Sequence, residues 1–268
     1  MNHSPRGEHE PCGNTAARLC ARGLIVRYRN KSVLDIPSLT LGSGITALTG
    51  ANGAGKSTLL KVFALLVPPT AGQIALGDDD VTPRSAGAAY RKSVGYLPQN
   101  ADFPGHFTVE EAVTYSAWLR GIKSRNRREA VQTLIERLDL GSQAGTRLKF
   151  LSGGNRQRAY IAQAIVHDPA VLLLDEPTTG IDVEHRIELR ELLSRVGRDR
   201  CVVMSTHHTE DIELLSHRVV SLREGRVVFD GTPADLIGQV EGAAQNAAEP
   251  TPEARAIEIA LRRMGGTA

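Results

Sequence analysis

The sequence predicts an α/β fold with a mostly parallel sheet, an antiparallel β subdomain near the N-terminus and an inserted helical subdomain. Three observations support this prediction. Short apolar segments alternate with helical patterns after Ile45. Two β-type segments joined by a polar turn precede that alternation, and two consecutive helical patterns without a strand between them interrupt it.

The antiparallel subdomain is predicted from the β-type segments Ala21–Tyr28 and Ser32–Leu41. Polar residues 29–31 separate the two segments, which suits an antiparallel pair at the edge of a sheet. The polar residues 1–17 that precede them are predicted to be a flexible leader.

A glycine-rich segment follows the predicted strand Ile45–Thr49 and leads into a helical segment, Lys56–Leu66. Its residues 50–57, GANGAGKS, match the pattern G-x-x-x-x-G-K-S/T and are called the phosphate loop below. In such a loop, backbone N–H groups wrap the phosphates of ATP, the lysine reaches the β- and γ-phosphates, and the hydroxyl binds Mg²⁺. We therefore expect a P-loop NTPase core. The predicted nucleotide-binding residues here are Gly50, Asn52, Gly53, Ala54, Gly55, Lys56, Ser57 and Thr58.

The helical insertion is predicted over residues 107–150. Thr108 and Glu111 form a T-x-x-E capping box ahead of an apolar-periodic segment that ends at Leu119. A second helix is predicted at Arg127–Leu138. Because two helices follow one another without a strand, they are expected to form a unit of their own beside the sheet.

Two adjacent carboxylates end the apolar strand Val171–Leu174. A fully apolar strand indicates burial on both faces, and its carboxyl end lies at the ligand-binding edge of an α/β sheet. Asp175 is expected to bind Mg²⁺, and Glu176, on the opposite side, to polarise the water that attacks the γ-phosphate. The alternative is a strand that ends in solvated acids. The phosphate loop favours the functional interpretation.

Residues 151–158, LSGGNRQR, resemble the signature of the ABC ATPase family and are called the signature segment below. Ser152, Gly153 and Gly154 begin a helix, which creates a second anion-binding helix end. The resemblance implies that these residues close over the γ-phosphate bound by the phosphate loop of a second copy, which gives two composite sites per dimer. The family most often has Gln at the position of Asn155, but the phosphate contacts come from the serine and the glycine amides.

Other landmarks of the family follow, and the resemblance covers approximately residues 19–238. It implies that Gln99 senses Mg²⁺ and couples to a membrane partner, that His207 contacts the γ-phosphate, and that Asp182 communicates across the dimer. Tyr28 matches the aromatic residue that stacks on adenine. Asp182 is also an ordinary helix N-cap, and a tyrosine in a strand is commonly a packing residue.

The resemblance thus implies an ATP-binding and ATP-hydrolysing subunit of an ABC transporter, cytoplasmic and held at the inner face of the membrane by a separate transmembrane permease. It implies pairing with a second ATPase subunit, identical or different, and ATP and Mg²⁺ as cofactors. Residues 107–121 are most similar to the drug- and antibiotic-exporter branch. The alternatives are an importer ATPase and a soluble, non-transport ABC ATPase. The tandem ATPase domains or long coiled coil of the latter are absent from the sequence.

Composition excludes several other classes. A net charge of +2 over 268 residues gives no reason to expect a nucleic-acid partner. No apolar segment approaches the ~18–20 residues that span a bilayer. The spacing of the three cysteines suits a reducing compartment. A basic cluster, attractive as a lipid or nucleic-acid surface, is more simply a solvated loop. Its members are Arg120, Lys123, Arg125, Arg127 and Arg128.

The domain organisation predicted from these features has three parts. Residues 1–17 form the leader, residues 18–238 the ATPase domain with its helical insertion, and residues 239–268 an Ala-, Glu- and Gly-rich tail. Within the tail, Ala254–Met264 has a pattern that favours a short helix.

Overall fold

The computed structural model describes residues 18–29, 31–81 and 87–246. The predicted leader and the predicted helix Ala254–Met264 lie outside the described residues. Within the described ranges the strands are β1 (Leu19–Tyr28), β2 (Lys31–Leu41), β3 (Gly44–Thr49), β4 (Ala71–Leu76), β5 (Asp79–Val81), β6 (Val94–Leu97), β7 (Val171–Asp175), β8 (Cys201–Ser205), β9 (Arg218–Arg223) and β10 (Arg226–Gly231). The α-helices are α1 (Lys56–Phe63), α2 (Gly87–Ser93), α3 (Val109–Leu119), α4 (Ser124–Arg137), α5 (Gly153–Ile165), α6 (Val183–Gly197), α7 (Thr209–Leu215) and α8 (Pro233–Asn246).

The strands of the described residues form two sheets. The N-terminal sheet has the strand order β2-β1-β4-β5 and is antiparallel throughout. The larger sheet has the order β10-β9-β3-β8-β7-β6 and is parallel except for the pairing of β10 with β9. The predicted fold class, an α/β core with a mostly parallel sheet and an N-terminal antiparallel β unit, is confirmed.

The central strands of the larger sheet bring the predicted chemistry to one edge. Strands β7 and β8 are buried at every residue, as their apolar sequences predict. Their register pairs Asp175 with Ser205, and β3 pairs Leu48 with Ser205. Since the three strands are parallel, their carboxyl ends lie together. The phosphate loop, which follows β3, therefore lies beside the residues that follow β7 and β8.

The helices between β6 and β7 pack on one another through a shared apolar core that includes Val113, Leu134 and Ile161. The predicted capping box is present, because Glu111 N donates to Thr108 Oγ1 (3.2 Å) and Thr108 N donates to Glu111 Oε2 (2.8 Å). These bonds satisfy two N–H groups at the start of α3.

Helix α4 begins at Ser124, earlier than the predicted Arg127. The guanidinium of Arg127 donates to the carbonyl of Ile122 at 2.9 and 3.3 Å, which stabilises this polar first turn. Arg120 likewise donates to the carbonyls of Arg91 (2.7 Å) and Val94 (3.3 Å). Two members of the basic cluster therefore have structural contacts.

Strands β4 and β5 and helix α2, which lie between α1 and β6, were not predicted from the sequence. Strand β4 approaches β1 so closely that a Cβ on Gly72 would lie 2.1 Å from the carbonyl oxygen of Gly23. The pairing of β4 with β1 is a long-range contact, and the short sequence AGQIAL has no pattern that predicts it. Helix α1 also ends at Phe63 instead of Leu66, with Leu65 at φ 58°.

Helix α8 runs from Pro233 to Asn246. It continues past residue 238, where we predicted the ATPase domain to end, and the division into domains stays a prediction. Among the helices in the part of the chain that the structure describes, none is both long and apolar enough to cross a membrane.

Candidate active site

The phosphate loop connects β3 to α1 through glycines that no other residue type could replace without strain. Gly50, Gly53 and Gly55 have φ values of 132°, 82° and 107°, in the region that favours glycine. A Cβ on Gly50 would lie 2.1 Å from the carbonyl oxygen of Leu222, and one on Gly55 would lie 2.7 Å from Cδ2 of Leu34. The loop backbone is thus packed directly against β9 and β2.

The remaining predicted residues of the loop differ in exposure. Asn52 and Gly53 are exposed, Ala54 is buried, and Ser57 and Thr58 are half-buried at the start of α1. Exposed backbone N–H groups before a helix N-terminus are available to bind a phosphate.

Lys56 is buried and turned onto its own loop. Its Nζ donates to the carbonyls of Gly50 (2.6 Å) and Ala51 (3.2 Å). Burial lowers the pKa of Lys56 below its ordinary value, while the negative charges of Glu176 and Asp175 act in the opposite direction. The cation therefore lies within electrostatic reach of both acids. Asp175 and Glu176 are 119 and 120 positions from Lys56 in the sequence, and the fold brings them together.

Asp175 ties three elements together at the end of β7. Its Oδ1 accepts hydrogen bonds from Ser57 Oγ (3.1 Å), at the start of α1, and from Ser205 Oγ (2.7 Å), at the end of β8. The residue is 2% exposed, so its charge is held by these donors. The structure thus brings two of the three predicted metal ligands, Ser57 and Asp175, into direct contact.

The donor set at this position fits Mg²⁺. The Ser57 hydroxyl and the Asp175 carboxylate are hard oxygen ligands of the kind that Mg²⁺ prefers. Gln99, the third predicted ligand, also has an amide oxygen, and its Nε2 donates to the adjacent Glu176. In the described ranges no group of three or more His, Cys, Asp or Glu side chains could hold a metal ion. A phosphate-loop Mg²⁺ does not need such a group, because substrate phosphates and water supply most of its ligands.

Glu176 is the centre of a second set of contacts. Its Oε2 accepts from Gln99 Nε2 (3.1 Å) and Thr179 Oγ1 (3.1 Å), and lies 3.6 Å from His207 Nδ1. Its backbone N–H donates to Ser205 Oγ at 2.8 Å, which fixes the turn after β7. The three predicted catalytic residues, Glu176, Gln99 and His207, are therefore neighbours.

The backbone of Glu176 is strained. Its φ is 51°, in the left-handed region, where a residue other than glycine costs roughly 1–3 kcal/mol. Such strain persists where surrounding contacts fix the conformation, and here the bonds to Ser205 do so. The turn directs the chain away from the strand immediately after Asp175.

Tyr28 is the last residue of β1 and pairs with Lys31 of β2. It is 51% exposed. Strand β2 reaches the phosphate loop a few residues further on, where Leu34 packs against Gly55. The exposed ring is thus near the same end of the molecule as the loop, and its stacking role stays a prediction.

The signature segment begins helix α5. Ser152 is the N-cap, and its Oγ accepts from Asn155 N at 3.3 Å. Ser152 and Gly153 are exposed, whereas Gly154 is buried. The start of α5 therefore presents a hydroxyl and N–H groups at the surface, which is the arrangement that binds an anion.

Asp182 caps α6 beside this helix start. Its Oδ1 accepts from His185 N (3.1 Å), and its carboxylate contacts His185 Nδ1 at 2.8 Å. The backbone N–H of His185 lowers the pKa of Asp182, and the side-chain hydrogen bond raises the pKa of His185. The ring of His185 packs on Gly154, so the loop of Asp182 and the signature segment are in contact.

The sequence interpretation missed several residues of the site. Ser205 and Thr179 hold Asp175 and Glu176, and His185 joins Asp182 to Gly154. The available signal was their adjacency to predicted residues, since Thr179 follows the acids and Ser205 precedes Thr206 and His207.

Comparison with known proteins identifies a family whose model matches this chain. The model of the ABC transporter family matches residues 34–179, which include the phosphate loop, the signature segment and both acids.

Three relatives illustrate the range of similar proteins. The Nod factor export ATP-binding protein I of Burkholderia pseudomallei (strain 1710b) is 38% identical over 213 residues, which cover 79% of this chain and 69% of the relative. The retinal-specific phospholipid-transporting ATPase ABCA4 of Homo sapiens is 34% identical over 85% of this chain and 9% of its own length. The ferric enterobactin transport ATP-binding protein FepC of Escherichia coli (strain K12) is 33% identical over 83% of this chain and 84% of the relative.

Proposed function

This chain belongs to the ABC transporter family, and from that premise we propose that it hydrolyses ATP to drive a separate transmembrane permease, in the direction of export. The contact between Gln99, His207 and the carboxylate of Glu176 carries the proposal. These groups lie at the sheet edge where Asp175 meets the phosphate loop.

Each residue of the site has a separate role in the hydrolysis of ATP. Lys56 and the loop N–H groups neutralise and orient the β- and γ-phosphates. Glu176 accepts a proton from the attacking water, and His207, 3.6 Å from the Glu176 carboxylate, contacts the γ-phosphate. The hydrogen bonds from Gln99 and Thr179 fix the carboxylate, so that orientation is established before the water is bound.

Ser57, Asp175 and Gln99 would hold Mg²⁺. When bound, the ion supplies positive charge at the phosphates during phosphoryl transfer. The hydrogen bond between Ser57 and Asp175 supports this assignment, because it places two of the ligands within 3.1 Å of one another.

We further propose that two such subunits form composite sites. Ser152, Gly153 and Gly154 of one subunit would contact the γ-phosphate bound by the other, with Asp182 beside them and Tyr28 stacked on adenine. The exposed start of α5 supports this arrangement. A phosphate that contacts both subunits stabilises the closed dimer, and hydrolysis removes that stabilisation.

Export and the permease are proposed from the relatives and from residues 107–121. The Nod factor export protein has a higher identity to this chain than the ferric enterobactin transport protein, 38% against 33%. The permease would hold the chain at the cytoplasmic face of the membrane, and the second ATPase subunit would be this chain or a homologue.

Affinity purification of the tagged chain from detergent-solubilised membranes of its host tests this function. We expect a membrane protein encoded beside its gene to copurify, and the reconstituted complex to hydrolyse ATP faster than the isolated chain. Stimulation by a solute-binding protein would indicate import instead of export. Recovery with ribosomes or nucleic acid, and without a membrane protein, would contradict transport.

A further inference from the structure

We propose that the buried carboxylate of Asp211 is a positioning residue for hydrolysis, which holds the loop that carries Glu176 and the loop that carries His207 at a fixed separation. This inference rests on the proposed function. It adds a residue of α7 that the phosphate loop, the acids and the signature segment do not include.

Asp211 bonds to both loops. Its Oδ2 accepts from Thr178 Oγ1 at 2.6 Å and from Thr206 Oγ1 at 3.0 Å. Thr178 follows Glu176 in the Asp-Glu-Pro-Thr-Thr segment, and Thr206 immediately precedes His207. Asp211 and Thr178 are 0% exposed, so water does not compete for these hydrogen bonds.

Arg190 balances the buried charge. Its Nε donates to Asp211 Oδ1 at 2.6 Å, and its Nη2 donates to Glu210 Oε2 at 2.6 Å. Burial alone would lower the pKa of Arg190, but the bonds to the two acids outweigh it and the pKa is raised. Because the carboxylate is paired with a permanent cation, it is available as an acceptor on its other oxygen.

The contact with Thr206 also orders the turn that carries His207. A hydroxyl has a single proton, which Thr206 donates to Asp211. The Thr206 oxygen is then directed to accept from His208 N, at 3.1 Å. The backbone on both sides of His207 is thereby fixed by one oriented hydroxyl.

Catalysis depends on the relative position of these two loops. They follow the neighbouring parallel strands β7 and β8, and the distance from His207 Nδ1 to Glu176 Oε2 is 3.6 Å. Ser205 joins the two strand ends, because its Oγ accepts from Glu176 N. Asp211 joins the loops beyond those ends, because it accepts from Thr178 in one loop and from Thr206 in the other. A small displacement of either loop would misplace the base relative to the γ-phosphate.

Valine substitutions test the positioning role without removing the buried ion pair. Thr178→Val and Thr206→Val keep the side-chain shape and delete the hydroxyl, and the Arg190–Asp211 pair stays intact. In the full-length protein we expect each valine variant to lower kcat for ATP about tenfold, with KM within about twofold of wild type. The matched variants Thr178→Ser and Thr206→Ser keep the hydroxyl and should recover most of the lost kcat.

Thermal unfolding of each variant measures its folded fraction, and nucleotide binding shows whether the ATP site is intact. Valine variants that hydrolyse ATP at the wild-type rate would overturn the inference, as would serine variants as slow as the valine ones. If kcat falls only in proportion to the folded fraction, the contact is merely structural and the positioning role is wrong. If the complex of the wild-type chain with its permease has no ATPase activity, the proposed function itself is refuted. If wild type is active, Glu176→Gln is inactive and the valine variants are fully active, then the inference alone fails.

Discussion

The imidazole of His185 lies directly against Gly154: a Cβ built on the glycine would be 2.7 Å from Cδ2 of the histidine. The same Cβ would lie 2.8 Å from the histidine Cβ, so rotation of the ring alone would not make room for it. The adjacent Gly153 differs, because its nearest neighbour, the carbonyl oxygen of Gly180, would be 3.9 Å away. The two glycines thus have different structural reasons for being present.

Gly154→Ala should therefore destabilise the protein, by about 1–3 kcal/mol, because the methyl group overpacks the contact with His185. Gly153→Ala is the matched control and should be neutral or slightly stabilising, since alanine favours a helix. Urea unfolding of both variants measures the difference. Equal stabilities would show that α5 does not pack on the Asp182 loop as described.

The composite site predicts complementation between two inactive variants. Ser152→Arg blocks the signature segment and Lys56→Ala disables the phosphate loop, so each homodimer should lose ~10²-fold or more in ATPase activity. Ser152→Arg should still bind nucleotide as a single subunit. A mixed dimer retains one composite site, formed by Lys56 of the first variant and Ser152 of the second.

Mixing the purified variants should therefore restore part of the activity. The measurement is ATPase activity as a function of mixing ratio, with cross-linking as the control that heterodimers form. Heterodimers without any recovered activity would argue against contact between subunits at the γ-phosphate.

The buried side chain of His167 should make the free energy of unfolding depend on pH. Its Nε2 lies 3.2 Å from the carbonyl oxygen of Val94, which requires that the proton is on Nε2. Nδ1 is buried and, among the described residues, has no hydrogen-bond partner. Burial, aided by the positive charge of Arg120, lowers the pKa of His167 to about 4. A second proton would therefore be placed on a buried, unpaired nitrogen.

The sign follows from proton uptake in the two states. An unfolded histidine has a pKa of about 6.5, so between pH ~6.5 and ~4 the unfolded chain binds a proton that the native protein does not. The free energy of unfolding should fall as the pH is lowered through this window. His167→Gln removes that component, and denaturant unfolding at pH 7.5 and 5.5 should show a smaller loss than wild type. An identical loss would assign the pH dependence to other groups.

The local parts of the site were predictable from sequence. The phosphate loop and the pair Asp175 and Glu176 each follow an apolar strand, and strand, loop and helix are patterns of neighbouring residues. The capping box of Thr108 and Glu111 is equally local, and its two hydrogen bonds are present. Such features depend on backbone conformation within a few residues, which the sequence encodes directly.

The contacts that complete the site depend on tertiary pairing. Gln99 and Glu176 are 77 positions apart and meet because β6 and β7 are neighbours in the sheet. Asp211 meets Thr178 only after β7 and β8 pair and α7 packs behind them. Patterns of neighbouring residues do not specify which strands become adjacent in the sheet. The sequence therefore predicted Gln99 and Glu176 as separate site residues but not their contact, and it did not identify Asp211 or Thr178.

The two adjacent acids should respond differently to amide substitution. Glu176→Gln keeps side-chain shape and removes the base, so ATP should persist between phosphate loop and signature segment and the closed dimer should accumulate. Asp175→Asn disturbs the Mg²⁺ ligand held by Ser57 and Ser205, and should weaken Mg²⁺-dependent dimer formation. Light scattering with Mg-ATP, for each variant with its permease, measures the two outcomes. A dimer that is equally abundant in both variants would contradict separate roles for the acids.

The rate of ATP hydrolysis by Glu176→Gln, compared with wild type in the same permease complex, tests the central claim most directly. We predict a decrease of ~10²–10⁴-fold with ATP binding retained, because the carboxylate that Gln99, Thr179 and His207 surround is the general base. A folded Glu176→Gln protein that binds ATP and hydrolyses it at the wild-type rate would contradict this assignment.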